Sequence, residues 1–118
     1  MDSNYQNLTV WQKAMILVSD VYILTNEYPK SDLYGLTSQT RRCAVSIPSN
    51  VAEGSQRGTK KDFARFLDIS RGSSAELETQ LLIARNLKYF DNNILFQKII
   101  DNLHEIRKML SGLKNSIV

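Results

Sequence analysis

The residues that could do nucleophilic or acid–base chemistry are few, because the chain has one cysteine, Cys43, and one histidine, His104. A cysteine–histidine dyad would need these two side chains to meet. Cys43 falls on the apolar face of a predicted helix, where a cysteine ordinarily serves as a small core residue. The segment "DNLH", which ends at His104, resembles half of a di-iron carboxylate–histidine motif, but such a site needs two of these motifs and further glutamates.

Other catalytic and cofactor signatures are also missing from the sequence. All-helical ribonucleases often carry an arginine five residues before a histidine, but Ile99 occupies that position relative to His104. Glu76 and Glu78 are two residues apart, so on a helix they point to different faces and cannot act as a pair. No P-loop or GxGxxG phosphate cradle occurs. We therefore predict that the protein is not an enzyme and has no catalytic residue, metal site or cofactor.

Positive charge is the strongest chemical signal in the chain. The net charge is +3, yet residues 41–71 alone hold seven bases and three acids, so the remainder nets −1. Such a patch can meet an anionic partner, although a solvated helix surface is the simpler alternative. Tyr34 precedes the patch and either stacks on a base or packs half-buried at a helix start. The bases predicted to contact phosphates are Arg41, Arg42, Arg57, Lys60, Lys61 and Arg65.

Apolar spacing predicts the helices that must position these side chains. Pro29 ends the first helix, Ser31 or Asp32 is expected to cap the second, and Gly54 to terminate it. Thr59 begins the third with a variant of the capping box. No segment shows sustained strand alternation, and the connections are short. The sequence therefore predicts a single all-α domain, an antiparallel up-down four-helix bundle, after a loose tail at residues 1–7. The predicted helices span about 9–27, 33–53, 59–87 and 91–114.

The first predicted helix carries more apolar surface than one bundle can bury. When residues 8–28 are arranged in sevens, five of the seven columns are largely apolar. An ordinary bundle helix needs an apolar arc of only about three columns. Because no helix is central in a four-helix bundle, we expect another subunit to cover the second face. The sequence therefore predicts an oligomer.

Pro48 lies in the middle of the second predicted helix. A proline there removes the hydrogen bond to the carbonyl of Ala44 and costs roughly 3 kcal/mol. Small residues surround it and recur at 72–75, so a kink would let two helices pack closely. A hydroxyl on Ser46 or Ser49 could bond the freed carbonyl. In the alternative interpretation, which the sequence leaves open, the bend aims three side chains into a site: Ser49, Asn50 and Glu53.

The expected location is the reducing cytoplasm, since a lone cysteine cannot form an internal disulfide. The first residues show neither the basic start nor the apolar stretch of a signal peptide. The longest apolar run, Ala14 to Val18, is far shorter than the ~20 residues of a membrane span. We therefore expect no membrane association.

Several stretches of this sequence resemble a known family. The most specific are "SIPSNVAEG" (46–54) and "SSAELETQ" (73–80), within longer similar stretches that begin at "LTVWQKAM" and run through "LLIARNLKYF". Together they resemble the four-helix-bundle proteins encoded in intervening sequences of bacterial 23S ribosomal RNA genes, which are related to accessory proteins of diversity-generating retroelements. The resemblance covers about residues 8–110. Cys43 departs from it, since an alanine is usual there.

The resemblance implies an up-down four-helix bundle, assembled as a ring-like homopentamer with basic surfaces that bind nucleic acid. Together with the basic patch, it favours a non-enzymatic oligomer that contacts structured RNA or DNA by shape and charge. The rival hypothesis is an assembly module that docks a protein partner, such as a reverse transcriptase, through the same patch.

Overall fold

Four long helices make up most of the chain: α1 (Thr9–Thr25), α2 (Ser38–Ser55), α3 (Lys60–Asn86) and α4 (Asn93–Ile117). The computed structural model describes residues 4–117, and no strand occurs within that range. Each of α1 and α3 packs against both α2 and α4, which closes the bundle. The predicted all-α four-helix bundle is thus confirmed. Its antiparallel up-down path and the kink at Pro48 stay predictions.

Residues 4–8 form a short lead-in to α1. Tyr5–Asn7 make a 3-10 turn, capped by the side chain of Asn4, which accepts a hydrogen bond from the amide of Gln6 at 3.0 Å. The Tyr5 ring packs edge-on against Trp11 with 5.4 Å between centroids. These residues belong to the predicted loose tail, of which residues 1–3 lie outside the described part of the chain.

The connection from α1 to α2 is longer than predicted. After Pro29 come a 3-10 turn (Lys30–Asp32) and a wide helical turn (Leu33–Thr37), so the α-helix begins only at Ser38 and not at residue 33. The cause is Gly35, whose dihedral angles (φ −103°, ψ −112°) are not helical. Asp32, one of the two predicted caps of the second helix, caps this turn instead of α2, since its Oδ1 accepts from the amide of Leu36 at 3.2 Å.

The same connection is anchored to the connection between α3 and α4. The hydroxyl of Tyr89, in the connection after α3, donates to Oδ2 of Asp32 at 2.8 Å. This hydrogen bond also raises the pKa of Tyr89, because it stabilises the neutral phenol beside a carboxylate. Asp32 therefore holds the segment that carries Tyr34 in place through two hydrogen bonds, one to each carboxylate oxygen.

The core is filled by aliphatic side chains from all four helices, which the 3.6-residue spacing brings to one side of each helix. The largest fully buried side chains are Leu17, Val21, Leu24, Ile47, Val51, Leu67, Leu77, Leu81, Ile99, Leu103, Ile106 and Leu110. Pro48 is buried in the same layer. Among the residues that the 3.6-residue spacing places on the inner face of α3, Leu87 is the exception, since it is 53% exposed.

Helices α2 and α3 form the most extensive helix pair of the bundle. The buried hydroxyl of Ser70 donates to the carbonyl of Ile47 at 2.9 Å, so the two backbones approach closely beside Pro48. The hydroxyl of Ser46 donates to the carbonyl of Cys43, three residues back, at 2.6 Å. The predicted acceptor, the freed carbonyl of Ala44, lies only two residues before Ser46.

Gly54 does not terminate α2, as the sequence suggested, since the helix continues to Ser55. Its lack of a side chain serves packing instead. A Cβ atom at Gly54 would lie 2.5 Å from Cβ of Phe66 and 3.2 Å from the ring of Phe63. The glycine therefore lets the start of α3 pack directly on the end of α2.

We expect Gly54→Ala to lower the free energy of unfolding by about 1 to 3 kcal/mol, because overpacking at a rigid contact exceeds the gain in helix propensity. Gly72→Ala is the matched control, since nothing lies within 4 Å of a Cβ atom there. That change should stabilise by about 0.5 to 1 kcal/mol. Urea unfolding of both variants at one protein concentration measures the difference. A stabilised Gly54→Ala would contradict the packing account.

One face of α1 is left uncovered by the chain's own helices. Met15, Ile16, Tyr22 and Ile23 are spaced to share that face, and their exposed fractions are 44%, 53%, 42% and 55%. Exposed apolar side chains therefore remain on α1, on either side of a polar stripe that includes Ser19. A surface of this kind is available to a second subunit.

Among residues 4–117, no helix combines the length and hydropathy that crossing a membrane requires.

Candidate nucleic-acid interface

The turn between α2 and α3 positions most of the predicted phosphate-binding residues. Gly58 takes a positive φ of 92°, a conformation that residues with a side chain rarely adopt, and so reverses the chain. Thr59 then caps α3, since its hydroxyl accepts from the amide of Asp62 at 3.1 Å. Four cations lie at this turn and are named the turn cluster: Arg57, Lys60, Lys61 and Arg65.

Phe66 brings the two arginines of the turn cluster together. The guanidinium carbons of Arg57 and Arg65 lie 4.9 and 4.6 Å from the centroid of its ring. Phe66 is 5% exposed, so its ring forms a floor under both side chains. Cation–π contacts of this kind orient an arginine without neutralising it.

The turn cluster has more positive charge than its own acids balance. Arg57 pairs with Glu53 at 3.0 Å, and Arg65 approaches Asp62 at 3.9 Å. Both pairs are exposed, and such pairs are weak. Lys60 and Lys61 make no hydrogen bond or ion pair within the described residues and are exposed.

The amides at the start of α3 add partial positive charge to this surface. The four cations and two acids leave a net charge of +2, from the residue types alone.

Asp68 weakens this surface less than its position suggests. It lies one turn beyond Arg65, but its carboxylate pairs with Lys114 at 2.8 Å and with Arg71 at 3.2 Å. The hydrogen bond from Lys114 is the main cause that holds the pKa of Asp68 below its usual value. The partner on α4 is distant in the chain, so no local sequence pattern indicates it.

Arg41 and Arg42 lie near the other end of α2. Fifteen residues separate Arg42 from Arg57, which corresponds to about 20 Å along a helix. Arg41 donates from Nε to the hydroxyl of Thr25 at 2.9 Å and stacks on Tyr22 with 4.7 Å to the centroid. The six predicted bases therefore form two groups and not one continuous patch.

Arg42 differs from Arg41 in that it is exposed and makes no hydrogen bond or ion pair within residues 4–117.

The three side chains of the alternative Pro48 site have separate surroundings. The amide of Asn50 donates to the carbonyl of Ser46 at 2.7 Å, whereas Glu53 binds Arg57. Ser49 is exposed. Two of the three are thus engaged with different partners, and they do not converge on a shared point.

Cys43 and His104 do not meet. The thiol of Cys43 contacts the carbonyl of Ser73 at 3.2 Å and Oε1 of Glu76 at 3.3 Å. Burial, with Glu76 beside it, raises the pKa of Cys43 to about 12, so at neutral pH it is a thiol and a poor nucleophile. His104 instead lies 3.0 Å from Glu78. Glu76 and Glu78 serve different neighbours, as their spacing predicted.

Glu78 is the centre of a polar cluster that links α3 to α4. Its carboxylate binds Nε2 of His104 at 3.0 Å and the guanidinium of Arg107 at 2.8 Å, while Arg107 also donates to the hydroxyl of Ser74 at 3.0 Å. The hydrogen bond with His104, followed by that from Arg107, holds the pKa of Glu78 below its usual value of 4.5.

A depressed pKa means that the unfolded chain binds the proton more tightly, so Glu78 stabilises the fold above pH 4.5 and loses that contribution as pH falls through its folded pKa. We therefore expect Glu78→Gln to lower the urea midpoint at pH 7 and to flatten the decline of that midpoint as the pH falls below 4.5. Glu105→Gln, at an exposed partner of Lys13, should follow the wild-type decline. Parallel curves for all three proteins would contradict this assignment.

Sequence reasoning missed a second cationic surface, a groove of about 460 Å³ between α3 and α4. Its basic lining residues come from helices that are distant in the chain, so no local charge count reveals them. They are Arg71, Arg107 and Lys108, with His104 beside them.

Within residues 4–117, no three histidine, cysteine, aspartate or glutamate side chains are grouped to hold a metal ion.

Comparison with known protein families adds to this geometry. The model of the family described as "23S rRNA-intervening sequence protein" matches residues 6–112. That range includes α1, α2, α3, most of α4 and every predicted phosphate-binding residue. No curated protein matches the chain.

Proposed function

Because the chain belongs to the 23S rRNA-intervening sequence protein family, we propose that it is a non-enzymatic, oligomeric helical bundle that binds structured nucleic acid, RNA above all, in the bacterial cytoplasm. The observation that carries the proposal is the turn cluster. Two lysines without a partner in the described chain and two arginines on one aromatic floor face solvent at a helix N-terminus. Such an arrangement is suited to binding the oxygens of phosphate groups.

Binding of this kind reads shape and charge. The turn cluster offers point charges and forked guanidinium donors, which suit phosphates but distinguish no base pair. A-form RNA also hides its base edges in a deep, narrow major groove. Affinity therefore depends steeply on salt, and unrelated structured RNAs bind about equally.

Oligomerisation multiplies a small contact. One turn cluster spans only the end of one helix and reaches few phosphates, so a single subunit binds weakly. Several subunits that present the same cluster to one RNA gain affinity without any new contact. The uncovered apolar face of α1 supports self-association, and the family resemblance suggests a homopentamer.

Fluorescence anisotropy with two labelled RNA hairpins of unrelated sequence and equal length tests the proposal. At low salt we expect saturable binding to both, with dissociation constants within a few-fold of each other. If neither hairpin binds, the proposal is contradicted. The protein-docking hypothesis, in which an acidic partner such as a reverse transcriptase meets the same cations, would then take its place.

A further inference from the structure

Tyr34 is the most exposed aromatic side chain among the described residues, with 93% of its surface accessible. The sequence allowed either half-buried packing at a helix start or a role in stacking, and the structure removes the first option. A tyrosine held almost wholly in water stabilises nothing in the fold. Its backbone is nevertheless fixed, because Asp32 caps this turn and binds Tyr89.

Tyr34 lines a shallow cavity of about 270 Å³ at the junction of α1, the wide turn and α2. This volume lies just below the roughly 300 to 1,000 Å³ of sites for drug-sized ligands, so the cavity suits a single ring system more than a folded segment. Arg41 and Arg42 line it as well, together with the hydroxyl residues Thr37 and Ser38. Among the residues that the structure describes, no acidic side chain lines it.

Thr37 lines the same cavity and carries a buried hydroxyl whose hydrogen-bonding capacity is unused. The residue is 2% exposed, yet its hydroxyl oxygen has no hydrogen-bond partner in the described structure. A buried hydroxyl without a partner costs free energy, so native proteins rarely leave one. The hydroxyl oxygen of Thr37 is itself enclosed, so the residue contributes its other atoms to the cavity lining.

The two arginines differ in a way that suits one ligand. Arg41 is already held by Thr25, Asn26 and the ring of Tyr22, so it places a positive charge at a fixed position beside the cavity. Arg42 makes no such contact within residues 4–117 and can turn toward an anion. A ligand at this place would therefore meet a fixed charge, a mobile charge and an aromatic face together.

We propose that this cavity binds one unpaired nucleotide of the RNA, with its base stacked on Tyr34 and its phosphate on Arg42. The inference rests on the proposed function and narrows it to RNA with a bulge, loop or free end. A base inside a duplex is stacked on its neighbours and cannot reach the ring, whereas an unstacked base can.

The test compares a blunt RNA duplex of about 16 base pairs, the length that one double-strand-binding module spans, with the same duplex carrying a short bulge. Wild type should bind the bulged RNA more tightly. Tyr34→Ala should weaken binding of the bulged RNA by about 10-fold to 100-fold and leave the blunt duplex unchanged, while Tyr34→Phe retains the preference. Ile94→Ala is the control, since Ile94 is 87% exposed on α4 and outside the cavity.

The outcomes separate this inference from the function on which it rests. Equal binding of both RNAs by wild type, with no effect of Tyr34→Ala, overturns the nucleotide site and leaves the proposed function standing. No binding of either RNA overturns both. A change of oligomer mass in Tyr34→Ala without a change in RNA preference would assign Tyr34 to a protein contact and also overturn the site.

Discussion

Replacing Ile16 and Ile23 together by aspartate is expected to convert the protein into a folded monomer of 13.5 kDa. Both side chains are more than half exposed on the face of α1 that the bundle leaves uncovered, so the change removes no core contact. Two buried carboxylates would prevent a second subunit from packing there. Light scattering coupled to size exclusion measures the mass, and circular dichroism confirms that the helices remain.

The matched control places the same charges on other exposed apolar positions, Leu87 and Ile94, which are 53% and 87% exposed. This double variant should keep the oligomeric mass of wild type. If wild type itself elutes as a 13.5 kDa monomer at micromolar concentration, the explanation of the α1 face is wrong. Loss of the oligomer in the control alone would move the interface to the region of Leu87 and Ile94.

The second large effect concerns the turn cluster. Changing Arg57, Lys61 and Arg65 to glutamine should weaken binding to structured RNA by roughly 100-fold at about 0.1 M salt, because a protein that neutralises fewer phosphates releases fewer bound counterions. The decrease should be similar for RNAs of unrelated sequence. The oligomeric mass should not change, since these side chains lie outside the α1 face.

The control for this variant removes the same charge elsewhere. Lys30, Lys88 and Lys108 are exposed and make no ion pair within residues 4–117, so their change to glutamine should cost little. A comparable decrease in both triple variants would mean that net charge alone, and not the turn cluster, governs binding. Lys108 borders the α3–α4 groove, so an effect confined to that residue would point to that groove.

Much of the fold was predictable because it depends on local patterns. The 3.6-residue spacing of aliphatic side chains indicates all four helices, and the polar cap Thr59 marks the start of α3. The errors arose where tertiary contacts override a local signal. Glycine is a common helix terminator, but at Gly54 the side chain of Phe66 packs against the backbone and the helix continues. Gly35 delays the start of α2 through a backbone conformation that the local sequence pattern does not reveal.

The candidate site was predictable only in part, for a related reason. Charge counting along the chain finds the turn cluster, whose members are neighbours in sequence. It cannot show that Arg57 and Arg65 share one aromatic floor, or that Lys114 neutralises Asp68 from another helix. Charge counting also places Arg41 in one group with bases that lie beyond the other end of α2. The exposure of Tyr34 required the structure itself.

The most direct test of RNA binding through the turn cluster is the salt dependence of affinity in wild type and in the Arg57, Lys61 and Arg65 triple variant. Filter binding of one structured RNA across a range of salt concentrations gives the slope of log affinity against log salt for each protein. Each phosphate contact contributes about 0.7 to 0.9 to that slope. We predict that the log affinity of wild type falls linearly with log salt. For the variant, the slope should be smaller by about 2 to 3 for each subunit that contacts the RNA. Equal affinities and equal slopes for the two proteins would contradict the account.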